Sequence, residues 1–296
     1  METNRKMDKF KGIFPALLTP FREDYSINEN ALRQLIQYNL EKGVKGFYVG
    51  GSASEAFLMS DEERRRVMAV AAEQMADSCT MIAHVGNIST ATTIELAKYA
   101  EGLGAHAISA VPPFYYKFNM EEIIEHYLSL SESVSIPLII YVMPFLTGVN
   151  FGMDNYKRLL DQPKIIGLKF TDSNLYQLER LIKVNPNKVI LFGWDEMALG
   201  AFAMGADGGI GSTYNLQADK FIELKALVDR NQMQEARLTQ EEINTVIDAL
   251  MKVGVFAGLK YALTLKGIEC GVSRKPFRRL SAEQREKVKE VVARYL

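Results

Sequence analysis

The chain has 296 residues, 48% of them hydrophobic, enough for one large α/β barrel or two modest domains and too apolar for a disordered protein. Thirty-five Lys and Arg against thirty-six Asp and Glu leave a net charge of −1, so no global field recruits nucleic acid or an anionic membrane, and small molecules are the expected partners. Cys79 and Cys270 lie far apart and His84, His106 and His126 are scattered, which argues against a disulfide framework or a dedicated zinc or iron site and fits a reduced, cytoplasmic protein.

In chain order, the N-terminal METNRKMDKF is a polar leader without the apolar centre of a signal peptide, and no later run approaches transmembrane length. The stretch from Gly12 to Pro20 reads as a first strand stopped by proline, and Asn28 to Glu41 as a capped helix. The alternation then repeats. Short β-rich runs bounded by Gly, Pro or polar residues fall at 46–49, 80–84, 107–111, 138–141, 165–169, 189–192 and 208–210, which with the first make eight. Helical periodicity fills the gaps at 61–77 behind a Ser60 cap, 90–103, 120–133, 153–160, 175–184, 196–204 and 218–230. Eight β/α units predict a (β/α)8 barrel over residues 1–231. Residues 232–296 predict three further helices, 232–251, 255–265 and 281–295, packed on the barrel flank as a C-terminal extension.

The strand Lys164-Ile165-Ile166-Gly167-Leu168-Lys169-Phe170-Thr171 carries a lysine where a buried strand normally excludes charge. Alternation puts Ile165, Gly167, Lys169 and Thr171 on one face and Ile166, Leu168 and Phe170 on the other. The bulky face suits helices. The other places the lysine above a glycine and beside a hydroxyl. A lysine of ordinary pKa is neutral in only about one molecule in 10³ at pH 7, so a nucleophilic one needs desolvation or a neighbouring cation. The plainer reading of the same strand is a lysine that snorkels out at its end.

Barrel enzymes build their sites at the C-terminal ends of strands, and several unusual residues fall there. Gly50-Gly51-Ser52-Ala53-Ser54-Glu55 after strand two offers backbone N–H groups and two hydroxyls to an anion, or is simply a flexible loop capped by Ser54. Tyr141 ends strand five, and Tyr115 and Tyr116 follow strand four; a phenol there either transfers a proton or packs with a wet hydroxyl. Gly193-Trp194-Asp195-Glu196 after strand seven sets two carboxylates for polyol hydroxyls or for the N-terminus of the next helix. Gly208-Gly209-Ile210-Gly211-Ser212-Thr213 is glycine-rich where many barrels hold phosphate, although such a run also relieves crowding.

Together with FPALLTPF, FYVGGS, EAF, IAHVG, SAVPPFYY, LK with Thr171 two residues on, LYQ, GADGGIGSTYN, GVFAGLK and SRKPF, these residues resemble the class I, Schiff-base-forming aldolases of the dihydrodipicolinate synthase and N-acetylneuraminate lyase family. The likeness runs from about Gly12 to Arg279 and is closer to the lyase branch. It implies that Lys169 condenses with the keto group of pyruvate, that Tyr141 shuttles protons, and that Ser52 and Ala53 stand in the pyruvate-carboxylate loop. It also implies that Thr171, Gly193, Asp195, Glu196 and Ser212 contact the sugar chain of sialic acid, with no cofactor and no metal. Tyr115 is implied to lie close to Tyr141, at or near a subunit contact in what is usually a homotetramer.

The chain departs from the family pattern at three points. The lyases' Ser-Thr-Gly-Glu is Ser52-Ala53-Ser54-Glu55 here, which removes a hydroxyl whose hydrogen bond to a carboxylate is worth about 1.5–3 kcal/mol unless Ser54 replaces it. Val142 stands in place of an asparagine after the strand-five tyrosine. Leu146 occupies the place where the synthases carry an arginine for a second carboxylate, which disfavours dihydrodipicolinate synthesis. Three activities therefore compete: a sialic acid lyase, another pyruvate-type aldolase or dehydratase acting on a 2-keto-3-deoxy sugar acid, and a barrel that only binds a ligand or partner.

Overall fold

The computed structural model describes residues 7–296. Eight strands alternate with helices: Gly12–Pro15 (β1), Gly46–Val49 (β2), Thr80–His84 (β3), Ala107–Ala110 (β4), Leu138–Val142 (β5), Ile165–Phe170 (β6), Val189–Phe192 (β7) and Gly208–Gly211 (β8). Every pairing is parallel, in the order β1-β8-β7-β6-β5-β4-β3-β2. An Ala16–Tyr48 bridge, with Leu17 N–H donating to Tyr48 O at 2.9 Å, joins the two ends. The expected (β/α)8 barrel is present. Strands buried on both faces explain the near-continuous apolar runs, such as Leu-Ile-Ile-Tyr-Val in β5 and Val-Ile-Leu-Phe in β7.

The helices start where their caps require. Ser60 and Glu63 form a capping box before Asp61–Met75, Asn119 and Glu122 another before Met120–Glu132, and Ser281 and Gln284 a third before Ala282–Tyr295. The sequence expectation misplaces several ends for identifiable reasons. The first strand stops at Pro15 because beyond the Ala16 bridge the chain leaves the sheet, the Leu18 N–H being taken by Asn215 Oδ1 at 3.2 Å. Where a helix is expected from Glu196, a 3-10 turn, Asp195–Met197, precedes the helix Ala198–Ala203. Asp195 does not cap that helix, because its carboxylate binds Thr213 instead. The helix expected from Ala218 begins at Tyr214 and kinks at Gln217. A short helix, Pro144–Thr147, opens with proline at its first position and was not apparent in the sequence pattern. Residues 1–6 of the polar leader lie outside the described residues; Phe10 at its end is buried against the core.

After the barrel come the helices Met233–Val253, Val255–Leu265 and Ala282–Tyr295, which pack on the helix Tyr214–Asp229 and on one another. They reach the strand-seven loop through Gln240, whose Oε1 accepts from Leu199 N at 2.8 Å and whose Nε2 donates to Asp195 O at 3.3 Å. Among the described residues no helix is long and apolar enough to cross a membrane.

The strand that carries the lysine is irregular. Leu138 of β5 faces Ile165, but the next residue, Ile139, faces Gly167, so Ile166 is an extra residue that bends β6. Regular pairing then places Tyr141 level with Lys169. The missing Cβ of Gly167 leaves room for β7, since a methyl there would lie 1.9 Å from Val189 O. Gly167→Ala is expected to part β6 from β7 and to destabilise by about 1–3 kcal/mol as an overpacked core substitution. Denaturant unfolding measures this, and an unchanged midpoint would show that the two backbones separate there at no cost.

Candidate active site

At the C-terminal mouth of the barrel, Lys169 is the penultimate residue of β6, level with Tyr141 of β5 and Leu191 of β7. It is not a snorkelling lysine, for only 4% of its surface is exposed. Its Nζ lies 3.9 Å from the ring centre of Tyr141 and 4.2 Å from that of Tyr48, and the two rings meet edge to face. Tyr48 is anchored by its hydroxyl to Ser109 Oγ at 3.1 Å. Behind Tyr141 sits the ring of His84, whose Nε2 accepts from Val111 N and whose Nδ1–H therefore donates to Gly50 O at 2.9 Å. Burial holds His84 well below its ordinary pKa, so it is neutral.

Among the described residues no carboxylate hydrogen-bonds Lys169. Burial therefore lowers its pKa to about 7, opposed by the charge of Asp195. The two aromatic faces favour the ammonium by about 0.5–2 kcal/mol each, but removal from water outweighs them. Tyr141 is pushed up to about 12 by burial, opposed by the neighbouring hydroxyls of Ser52 and Thr171. It is a neutral phenol, donating to Met143 Sδ at 2.9 Å.

Asp195 is also buried, and burial raises its pKa to about 6 against the hydrogen bonds from Thr213. Thr213 N–H and Oγ1 both bind Asp195 Oδ2, at 2.8 and 2.6 Å. Two glycines make room for these groups. A Cβ at Gly193 would fall 1.8 Å from Thr171 Oγ1, and one at Gly211 would fall 2.1 Å from Asp195 Oδ1. The Thr171 hydroxyl is buried near that of Tyr141, which is itself turned to Met143 Sδ, and so makes no hydrogen bond of its own. Glu196 and Ser212 are half-buried, with the Glu196 carbonyl held by Asn244 Nδ2 at 3.1 Å and the Ser212 carbonyl by Asn215 Nδ2 at 2.8 Å.

The strand-two loop forms a 3-10 turn, Ser52–Ser54, in which Ser54 N–H and Glu55 N–H bond back to Gly51 O and Ser52 O. Ser52 lies near the Tyr141 hydroxyl; Ala53 is buried; the Ser54 hydroxyl is fully buried against Thr19 Oγ1. Ser54 thus does not replace the hydroxyl lost at Ala53. A cavity of about 370 Å³ opens beside Ser52 and Met143 and is walled by Phe57, Phe114, Leu146 and Phe277. Tyr115, at φ 80°, is 84% exposed and meets the ring of Tyr116 edge to face, so within one chain it faces outward from this cluster. Sequence reasoning passed over Tyr48 and the buried pair of Glu55 with Lys260, and named Thr213 only as part of the glycine-rich string after strand eight. Tyr48 and Thr213 lie inside the FYVGGS and GADGGIGSTYN strings, where strand-end position was the available signal.

The sequence model of the Dihydrodipicolinate synthetase family matches residues 9–295. The chain is 42% identical over 287 residues to the N-acetylneuraminate lyase of Fusobacterium nucleatum, covering 97% of this chain and 99% of that one. It is 42% identical to the N-acetylneuraminate lyase of Pasteurella multocida, covering 98% and 100%. Among solved structures, CdNal from Clostridium difficile in complex with mannosamine superposes with a TM-score of 0.95 at 40% identity, covering 97% and 99%. The F. nucleatum lyase complexed with pyruvate gives 0.95 at 40% identity, covering 99% of each chain.

The depressed lysine pKa has a direct chemical consequence. An amine of pKa about 7 is protonated below that pH and neutral above it, so reductive alkylation of Lys169 by a small aldehyde and cyanoborohydride is expected to accelerate up to about pH 7 and then level off. Peptide mass analysis across pH 5–10 measures it. A rate still rising at pH 9 would mean the amine is solvated.

Proposed function

The chain belongs to the dihydrodipicolinate synthetase family, and from that premise we propose that it reversibly cleaves N-acetylneuraminate to N-acetylmannosamine and pyruvate through a Schiff base on Lys169. The observation that carries this reading is the buried Lys169 amine, without a carboxylate partner, beside the Tyr141 phenol. The near-full-length similarity to N-acetylneuraminate lyases supports the choice of substrate.

The chemistry follows from these two groups. At pH 7 about half of a lysine with pKa near 7 is the free base, roughly 10³ times the fraction of an ordinary lysine. Its nitrogen adds to the C2 ketone of the open-chain sugar acid, and the carbinolamine hydroxyl leaves as water with a proton from Tyr141. The iminium cation and the phenolate then neutralise one another. The phenolate takes the C4 hydroxyl proton, the C3–C4 bond breaks, and its electron pair moves to the iminium to give an enamine and the aldehyde of N-acetylmannosamine. Tyr141 returns the proton to C3, and hydrolysis releases pyruvate. No metal or organic cofactor enters these steps.

The substrate carboxylate is assigned to the Ser52 hydroxyl and to the amides of Ser52 and Ala53, which precede the first bond of the turn. Thr171, Gly193, Asp195, Glu196 and Ser212 follow β6, β7 and β8, so a substrate bound at Lys169 extends over them. Thr213 occupies Oδ2 of Asp195, which leaves Oδ1 and the Glu196 carboxylate to accept hydroxyls. Carboxylates here repel a phosphorylated tail. Leu146 gives no cation for a second carboxylate, which disfavours aspartate semialdehyde as acceptor. We place the protein in the cytoplasm as a homotetramer with Tyr115 at a subunit contact; the two buried free cysteines and the exposed Tyr115 ring support this.

Borohydride with pyruvate is expected to add mass to the peptide containing Lys169, and Lys169→Ala and Lys169→Arg to abolish the adduct, because a guanidinium stays protonated. In the same preparation kcat/KM should favour N-acetylneuraminate over 2-keto-3-deoxygluconate and over pyruvate with aspartate semialdehyde. Preference for either alternative overturns the substrate, and an adduct surviving in Lys169→Ala overturns the nucleophile. Tyr141→Phe keeps the ring and loses the proton carrier, so pyruvate binding should persist while kcat falls by about 10²–10⁴; near-normal turnover removes Tyr141 from the mechanism.

A further inference from the structure

The loop assigned to the substrate carboxylate is fastened to the far end of the chain. Glu55 closes the Ser52–Ser54 turn in the left-handed conformation (φ 59°, ψ 35°), where a residue with a Cβ is strained unless its surroundings hold it. Its side chain is completely buried. Oε1 accepts from Lys260 Nζ at 2.5 Å, and Oε2 accepts from Arg274 N at 2.7 Å. Lys260, from the helix Val255–Leu265, is equally buried, donates to Val272 O at 2.9 Å and lies over the ring of Phe21 at 4.4 Å. Arg274 continues the fastening, donating to Leu58 O at 2.9 Å and Tyr25 O at 2.7 Å and pairing with Glu63.

We propose that Lys260 and Glu55 are positioning residues for the keto-acid carboxylate: their buried ion pair sets the Ser52–Ser54 turn so that its hydroxyl and amides face the Schiff-base lysine. This rests on the carboxylate assignment made above. Neither residue touches substrate. A buried ion pair is a weak source of stability, since an apolar replacement of both partners is often neutral or stabilising. Its use here is geometric, because Oε1 and Oε2 fix the loop from two directions. The Ser54 hydroxyl, bonded to Thr19, pins the same turn from the β1 side. The pair and Arg274 also account for the charged residues of EAF, GVFAGLK and SRKPF, motifs whose Phe57, Phe256 and Phe277 line the cavity.

The test separates geometry from stability by comparing two ketones, pyruvate and acetone, which differ in the carboxylate. Glu55→Gln with Lys260→Met removes both charges and leaves an acceptor for Arg274 N. In borohydride trapping at Lys169, the pyruvate concentration giving half-maximal labelling should rise by about tenfold or more, as expected for misaligned bonds to a charged group. The acetone dependence should be unchanged. Should the double variant fail to fold, Lys260→Arg, which keeps the charge but not the geometry, is read the same way. Unchanged half-saturation by pyruvate, or an equal loss for pyruvate and acetone, overturns the proposal. Wild-type protein that forms no pyruvate adduct overturns instead the functional reading beneath it.

Discussion

Everything at the barrel mouth depends on the removal of one amine from water. Lys169 enters the barrel from β6 and finds two aromatic faces but, among the described residues, no carboxylate in hydrogen-bond contact. Either a carboxylate or bulk water there would stabilise the ammonium and keep it protonated at neutral pH. The aromatic rings give enough attraction to hold the side chain in place without fixing its charge. The nearest acid, Asp195, is itself raised to about 6 by burial and bound by Thr213. Its field reaches the lysine weakly, and the amine stays near its titration point.

The neighbouring elements follow from that requirement. Tyr141 must lie level with Lys169, and the extra residue Ile166 in β6 sets the register that makes it so. Tyr48 must hold its ring against the lysine, and Ser109 on β4, two strands away, anchors its hydroxyl. Thr171 and Asp195 need space that a side chain at Gly193 or Gly211 would fill. Glycine at these positions serves close approach rather than backbone freedom, since neither has a positive φ.

Much of this was legible in the sequence. Eight β-rich runs separated by helical periodicity fix a (β/α)8 barrel, because parallel strands leave alternation as the dominant pattern. Lys169 stood out as a charge in an apolar run. What the residues hid were contacts between distant segments. Nothing local distinguishes Asp195 as a partner of Thr213 from Asp195 as a helix N-terminal charge, and the helix start was misplaced for that reason. Ser54 likewise looks like a free hydroxyl until the fold brings Thr19 against it. Glu55 and Lys260 are separated by 205 positions, and only the structure makes them one feature.

Among the described residues two lysines are buried, and their environments explain why they differ in kind. Burial lowers the pKa of both. At Lys260 the Glu55 carboxylate at 2.5 Å opposes that shift and the Val272 carbonyl takes a second N–H, so two of its three protons are directed to oxygens and the ammonium is the form the site accommodates. Lys169 has no such acceptor among the described residues, so losing its proton leaves no carboxylate unpaired and frees the nitrogen lone pair beside the Tyr141 ring. One lysine is paired with a carboxylate and is proposed to act through geometry; the other, lowered to about 7, is the proposed nucleophile. Exchanging their surroundings would deprive the loop of its anchor and the barrel of its nucleophile, although every residue type remained present. Partners, more than burial, decide which lysine reacts.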